Sequence, residues 1–314
     1  MTKLIAVTGA TGAQGGGLVR AILDDPAGGF EARAITRNPD SDAAKALSSE
    51  GVEVVQADLD DEASLIRAFA GVHGAFCVTN FWEHFSPERE KAQAGNLARA
   101  ARSAGVAHAI WSTLEDVRSY VPLGDDRIPT LRGGYKVPHM DAKGEANEFF
   151  RQAGVPTTYL YTSFYWDNMI SFGMGPARDE NGMLAITLPL AAAKLPSMAA
   201  GDIGACAHGI FREGEPWTGC SVGVAGEHLT GADMATGLTA ALGEEVRYNA
   251  VTPAAYGASG FPGADELANM FQFNAEFAGG YCATRDLATS RSLNPNLTSF
   301  SRWLERNATS IPLG

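Results

Sequence analysis

Leu4-Ile5-Ala6-Val7-Thr8-Gly9-Ala10-Thr11-Gly12-Ala13-Gln14-Gly15 carries most of the fold information in this chain. An apolar, strand-like run leads into glycines at positions 9, 12 and 15, and the helix-like run Leu18-Val19-Arg20-Ala21-Ile22-Leu23 follows. Each glycine answers a separate physical need. Gly9 turns the chain sharply off the strand, Gly12 lets backbone N–H groups approach a pyrophosphate, and Gly15 lets the helix pack closely on the sheet. The helix then presents its positive dipole end to the phosphates. A strand, this turn and a helix together point to a dinucleotide-binding βαβ unit.

Outward from this unit, strand-length apolar runs alternate with helix-length amphipathic runs. Residues 32–36, 53–58, 75–79 and 107–112 read as strands, with helices over 43–48, 62–70 and 86–104 between them. Such alternation builds parallel βαβ units, so the fold class expected is α/β, a Rossmann doubly wound parallel sheet. Between Arg118 and Pro138 the rhythm breaks. Pro122, Gly124, Pro129, Gly133, Gly134 and Pro138 punctuate it, which reads as a long loop acting as a lid or binding element.

A helix over 139–153 and a strand over 157–161 restore the pattern. Further strands are expected at 184–188, 220–224 and 246–251, and helices at 203–211, 230–242, 253–256 and 264–277. A last amphipathic helix follows a threonine cap at Thr298. The expected division is a dinucleotide-binding domain over 1–158 and a smaller C-terminal α/β domain over 159–314. The second packs directly on the first, serves substrate or partner, and returns some strands to the first sheet.

The 314 residues carry 24 Lys and Arg against 36 Asp and Glu, a formal net charge of -12. That balance argues against direct binding of nucleic acid or anionic membrane, whose phosphates demand a basic surface. No apolar run approaches the ~20 residues that span a bilayer, and the first strand leaves no room for a signal peptide, so the expectation is a cytoplasmic protein. The cysteines, Cys77, Cys206, Cys220 and Cys282, and the scattered histidines lack metal-ligand spacing. Structural thiols and no metal are expected.

The end of the second strand selects between the two nicotinamide dinucleotides. It reads Thr36-Arg37-Asn38-Pro39. Arg37 can form a charge-assisted bidentate contact with a 2′-phosphate, which favours NADP(H), while Asp40 and Asp42 nearby leave NAD(H) open. Asp58, past the third strand, either accepts from the adenine amino group or caps the helix beginning near Glu62. Thr79 and Asn80 close the fourth strand at the sheet edge where ligands bind, and suit ribose or nicotinamide contacts or a plain turn.

Ser112 and Thr113 close the fifth strand. Short-chain reductases place a serine or threonine here against the substrate carbonyl. On the next helix stand a tyrosine that delivers the proton and, four residues later, a lysine that grips the ribose. Positions i and i+4 share a helix face, so the two converge on one ligand. This chain holds His139 and Lys143 there: the lysine is present and the tyrosine is missing. Histidine can donate a proton, though its ring is shorter than a phenol.

Aromatic residues cluster in three places: Phe81, Trp82, His84 and Phe85; Tyr120 and Tyr135; Tyr161, Phe164, Tyr165 and Trp166. They either line a cavity at the nicotinamide end, suited to a flat conjugated ligand such as a quinone, or pack as core under the second domain.

Taken together, Thr11-Gly12-Ala13-Gln14-Gly15, Thr36-Arg37-Asn38-Pro39, Val78-Thr79-Asn80, the helix from His139 through Lys143-Gly144-Glu145, and Gly154-Val155-Pro156 resemble the NmrA-like proteins. These are atypical relatives of the short-chain dehydrogenases and reductases. Gly260-Phe261-Pro262-Gly263-Ala264 with Leu267-Ala268-Asn269-Met270-Phe271 is similar to the family's redox-sensor branch, although this chain has a longer loop over 118–138 and fewer basic residues after Pro39.

The resemblance covers nearly the whole chain. It implies that Gly9, Thr11, Gly12, Ala13, Gln14, Gly15, Arg37, Asp58, Thr79, Asn80, Lys143, Phe164, Tyr165 and Asn168 line the dinucleotide site. Two functional expectations follow. One is an NAD(P)H-dependent oxidoreductase acting on an aromatic or quinone-like compound. Ser112 or Thr113 would orient the substrate, His139 or water would supply a proton beside Lys143, and Phe81, Trp82, Tyr120, Tyr135 and Trp166 would form the pocket. The other is a non-catalytic NADP(H) sensor that binds a regulatory protein. Either would act as a monomer or homodimer.

Overall fold

In the computed structural model, which describes residues 2–313, the first half of the chain alternates strand and helix as its periodicity requires. Strands β1 (Lys3–Thr8), β2 (Phe30–Thr36), β3 (Glu53–Gln56), β4 (Gly74–Cys77), β5 (His108–Thr113) and β6 (Thr157–Tyr161) are joined by helices α1 (Ala13–Leu23), α2 (Asp42–Ser49), α3 (Glu62–Ala68), α4 (Pro87–Ser103) and α5 (Pro138–Ala153). Ser41, Asp61 and Ser86 cap α2, α3 and α4 through their side-chain oxygens.

The second half runs through β7 (Phe164–Tyr165), α6 (Asn168–Ser171), β8 (Ala177–Arg178), β9 (Leu184–Leu188), β10 (Leu195–Met198), α7 (Ala200–Glu213), β11 (Ser221–Gly223) and β12 (Glu227–Leu229). It continues with α8 (Gly231–Leu242), β13 (Val246–Ala250), α9 (Pro253–Gly257), α10 (Ala264–Glu276), α11 (Ala278–Ala283), α12 (Leu287–Leu293) and α13 (Phe300–Asn307). Ser299, not Thr298, caps α13, its hydroxyl accepting from the Arg302 amide at 3.3 Å. The Thr298 amide instead donates to Asp202.

The main sheet has seven parallel strands in the order β11-β6-β5-β4-β1-β2-β3, and β11 returns from the second half to pair with β6. Smaller sheets β12-β10-β7 and β13-β9-β8 complete the fold. Helices cover both faces of the main sheet, so β5 is buried at every position, with the apolar run Ala109-Ile110-Trp111 at its centre rather than an alternating pattern. The strand order reverses between β1 and β4, which opens a crevice at their carboxyl ends.

One face of the sheet is sealed by α1 against α7, with Leu18, Val19 and Ile22 meeting Ile203, Ala207 and Ile210. The contact is backbone to backbone. A Cβ on Gly17 would stand 2.2 Å from the Gly201 carbonyl oxygen, and one on Gly204 would stand 2.0 Å from the Leu18 amide nitrogen. Neither neighbour can rotate away, so Gly204→Ala is expected to cost about 2 kcal/mol of stability, read as a lower midpoint in urea unfolding. An unchanged midpoint would mean that the helices slide apart freely.

The stretch 118–138, expected to act as a lid or binding element, is pinned down, and its last residue, Pro138, opens α5. Lys136 is fully buried, and its ammonium donates to the carbonyls of Asp125 and Ile128, both at 2.7 Å, and to the Thr130 hydroxyl at 3.0 Å. Asp141 accepts from the backbone amides of Val117, Lys136 and Val137, while Asn269 on α10 donates to the carbonyls of Pro129 and Lys136. Charged and amide side chains thus meet the polar backbone that a segment without regular structure would otherwise bury unpaired.

Cys77 and Cys206 are buried, and burial pushes both thiols well above their ordinary pKa, whereas Cys220 is exposed and Cys282 half-buried. Among the described residues no helix is long and apolar enough to cross a membrane.

Candidate functional site

The crevice is built by the opening motif. Thr8 ties the ends of β1 and β4 together, its hydroxyl accepting from the Val78 amide at 2.9 Å and donating to the Phe76 carbonyl at 3.1 Å. Gly9 turns the chain at φ +62°, a left-handed conformation that favours glycine. A Cβ on Gly15 would stand 2.4 Å from the Gly9 carbonyl oxygen, so only glycine lets α1 lie this close to the turn. Gly12 offers no side-chain cap to α1, and the first turn of that helix holds no acidic residue. Its leading N–H groups are left for an outside anion.

The cleft above this turn has a volume of about 470 Å³. Gly9, Thr11, Gly12, Ala13, Gln14 and Gly15 form its floor, Arg37 and Asp58 the side toward β2 and β3, and Thr79, Asn80, Tyr165 and Asn168 the side toward β4 and beyond. Asp61, not Asp58, caps α3, its carboxylate accepting from Ala63 and Ser64, which leaves Asp58 facing the cleft. The uncapped helix end, the close glycine contact and a cationic side chain at the end of β2 fit the pyrophosphate and ribose of a dinucleotide.

A second cavity, of about 250 Å³, opens from the β4 side of this cleft and shares Gln14, Thr79, Asn80, Trp82, Tyr165, Asn168 and Phe172 with it. Phe81, Trp82, Phe85 and Phe164 give it aromatic walls, with Ser112, His139 and Lys143 among its polar groups. Phe164 and Lys143, expected in the dinucleotide cleft, line this cavity instead. Gln14 stands at the junction, accepting from the Ser112 hydroxyl at 2.8 Å and donating to the Tyr165 hydroxyl at 2.6 Å. Burial raises the Tyr165 pKa, so this phenol is a weaker acid than an ordinary tyrosine.

Two buried carboxylates organise the polar wall. Glu90 on α4 accepts from the Thr79 hydroxyl and stands 2.9 Å from the Lys143 ammonium, which also donates to the Thr79 hydroxyl at 2.7 Å and lies 4.9 Å above the Trp111 ring. The His84 Nδ1 accepts from the Ser86 amide, so in the neutral ring the proton sits on Nε2, 3.5 Å from Glu90. Burial pushes the Glu90 pKa up, but Lys143, His84 and Thr79 outweigh it and hold the group at about 2. Glu266 on α10 takes hold of His139: one carboxylate oxygen accepts from the His139 amide at 2.6 Å and from Nδ1 at 2.8 Å. Arg132 reaches the other oxygen at 3.4 Å. With Nδ1 engaged, Nε2 is the nitrogen left for a ligand.

The match to known proteins covers the same span as this architecture. The family model described as the NmrA-like family matches residues 1–304. The chain belongs to the NmrA-like family. It is 30% identical to the NmrA-like family domain-containing oxidoreductase FrzB of Cladobotryum sp., over 90% of this chain and 87% of FrzB. Among solved structures, NmrA, a negative transcriptional regulator in complex with NADP, has the same fold at TM-score 0.78 and 24% identity, covering 97% of this chain and 94% of NmrA. The Citrobacter sp. triphenylmethane reductase complexed with NADP(H) superposes at TM-score 0.76 and 23% identity, covering 97% of this chain and 99% of the reductase.

Within this NmrA-like chain four expected site residues lie elsewhere. Thr113 is fully buried and spends its hydroxyl on the Asn147 side chain at 2.8 Å, beneath the cavity rather than in it. Tyr120 packs against Phe273 and Phe277 on the outer side of α10. Tyr135 is held by Lys91 and Glu88 beside α4. Trp166 is core, its indole N–H donating to the Ser197 hydroxyl at 2.9 Å and its ring packed on Phe300 and Trp303. Conversely, Glu90 and Glu266 escaped the sequence reading. Each lies in the first turn of a helix, where an acidic residue reads as an ordinary complement to the helix dipole.

Proposed function

We propose that this NmrA-like protein is an NAD(P)H-dependent oxidoreductase that reduces an aromatic or quinone-like carbonyl compound, with NADP(H) preferred through Arg37. The observation that supports it is the aromatic cavity opening onto the cleft between Thr79, Asn80 and Tyr165, where the nicotinamide of a dinucleotide seated on the glycine turn would lie. A purely cofactor-responsive regulator needs no such space.

The bound dinucleotide supplies the hydride, which carries two electrons to the substrate carbonyl carbon. The chain's own residues do the rest. Phe81, Trp82 and Phe164 hold a flat ring and exclude water. His139, when protonated, gives the Nε2 proton to the carbonyl oxygen as the C–O π pair moves onto it, and Glu266 keeps the ring oriented through Nδ1. Ser112, fixed by Gln14, borders the same space and orients the substrate. Lys143 borders the aromatic cavity with its charge balanced by Glu90, so its part is to place hydrogen bonds.

The test is consumption of NADPH and NADH by the purified protein against a panel of quinones and aromatic ketones. Turnover of at least one class is expected. Tight cofactor binding with no turnover on any of them would remove the proposal in favour of the regulator.

A further inference from the structure

We infer that Glu83 sets how strongly this cleft discriminates between dinucleotides with and without a 2′-phosphate. The inference rests on reading the cleft as a dinucleotide site and not on any reaction there. Arg37 follows β2, and Glu83 ends the short turn Phe81–Glu83 that follows β4. The two come from opposite sides of the crevice and both line it. Their side chains meet at 2.6 Å, Arg37 Nη1 to a Glu83 carboxylate oxygen, and each stays about half exposed, at 55% and 40%.

A 2′-phosphate approaching Arg37 therefore finds a guanidinium that already has a counter-charge. If Arg37 keeps Glu83, the phosphate meets a nearly neutral pair. If Arg37 turns to the phosphate, Glu83 is left without its partner and facing a dianion. In both arrangements Glu83 subtracts from what the phosphate gains, and a ligand with free 2′- and 3′-hydroxyls loses nothing. Asp58 lines the same side of the cleft and adds to the negative charge there. The residue that tempers the phosphate preference thus lies far along the chain from the arginine that creates it.

The probes are ADP-ribose and its 2′-phosphate, which reach this end of the cleft without a nicotinamide, titrated calorimetrically into the full-length protein. Glu83→Gln keeps the side-chain shape, and Glu83→Ala, read in parallel, leaves Arg37 entirely free. Both are expected to tighten the 2′-phosphate ligand by about fivefold, the size of one charge contact at a half-exposed site, and to leave ADP-ribose within about twofold. The gain should shrink as salt is added, because the contact is open to screening. No change, or a weakening that would mean Glu83 aims Arg37 at the phosphate, overturns the inference while ADP-ribose binding keeps the dinucleotide site intact. If neither ligand binds the wild-type chain, the dinucleotide reading falls and the inference with it.

Discussion

His139→Phe is expected to lower the turnover of an aromatic ketone by about a hundredfold or more, the usual scale of a lost general acid, while NADPH binds as before. The phenyl ring keeps the packing against Phe81 and Trp82, whose centroids lie 5.9 and 4.9 Å from the imidazole, but it carries no proton to give. Glu266→Gln is a milder version, expected to cost about tenfold. The amide oxygen can still accept from the His139 backbone and Nδ1, while the negative charge that balances an imidazolium is gone.

The decisive comparison is between acceptors. A quinone that receives a hydride becomes a stabilised anion and needs little acid in the transition state, so its turnover should fall far less than that of the ketone. In both variants kcat should carry the loss and KM should hardly move. Equal losses on ketone and quinone would assign His139 to packing and leave proton delivery to water.

Lys143→Met is expected to destabilise the fold by about 3 kcal/mol near neutral pH, because it strands a buried carboxylate. Glu90 is fully buried, and Lys143 is its only cationic partner among the described residues apart from His84. The pH dependence has a definite sign. In the wild-type fold the Glu90 pKa is depressed from 4.5 to about 2. Its contribution is complete above 4.5 and is lost as pH falls through that interval. In the variant, burial without the ammonium favours the protonated acid. The gap between the two proteins should therefore be widest at pH 7 and close on acidification below about 4.5, as measured by urea unfolding at both pH values. A gap that stays constant would trace the loss to the packing of Lys143 on Trp111 instead.

The legible parts of this molecule were those whose physics is local. Alternating runs report parallel strands because each βαβ unit is closed within a few dozen residues. The glycine turn reports an anion site because Gly9 and Gly15 act on backbone only six residues apart. The aromatic cluster divided according to the same logic. Phe81 and Trp82 lie in the short turn after β4 and reach the cavity. Tyr120 and Tyr135 sit in a segment whose path is set by Lys136 and Asp141, through hydrogen bonds to backbone groups that carry no sequence signature. Trp166 points the other way because its neighbours Phe300 and Trp303 come from the far end of the chain. Glu266 reaches His139 across 127 positions, and no periodicity announces such a meeting.

The backbone contact between α1 and α7 also constrains how the protein is made. A ribosome delivers α1 early and α7 only after some two hundred residues, and until then Leu18, Val19 and Ile22 lack the Ile203, Ala207 and Ile210 side chains that meet them in the fold. This side of the sheet therefore closes late in synthesis, and until it does the apolar surface there is open to wrong contacts. Once α7 seats, the glycines admit no other spacing, and the N-terminal half of α1 is held at its place beside the cleft by a helix from far along the chain.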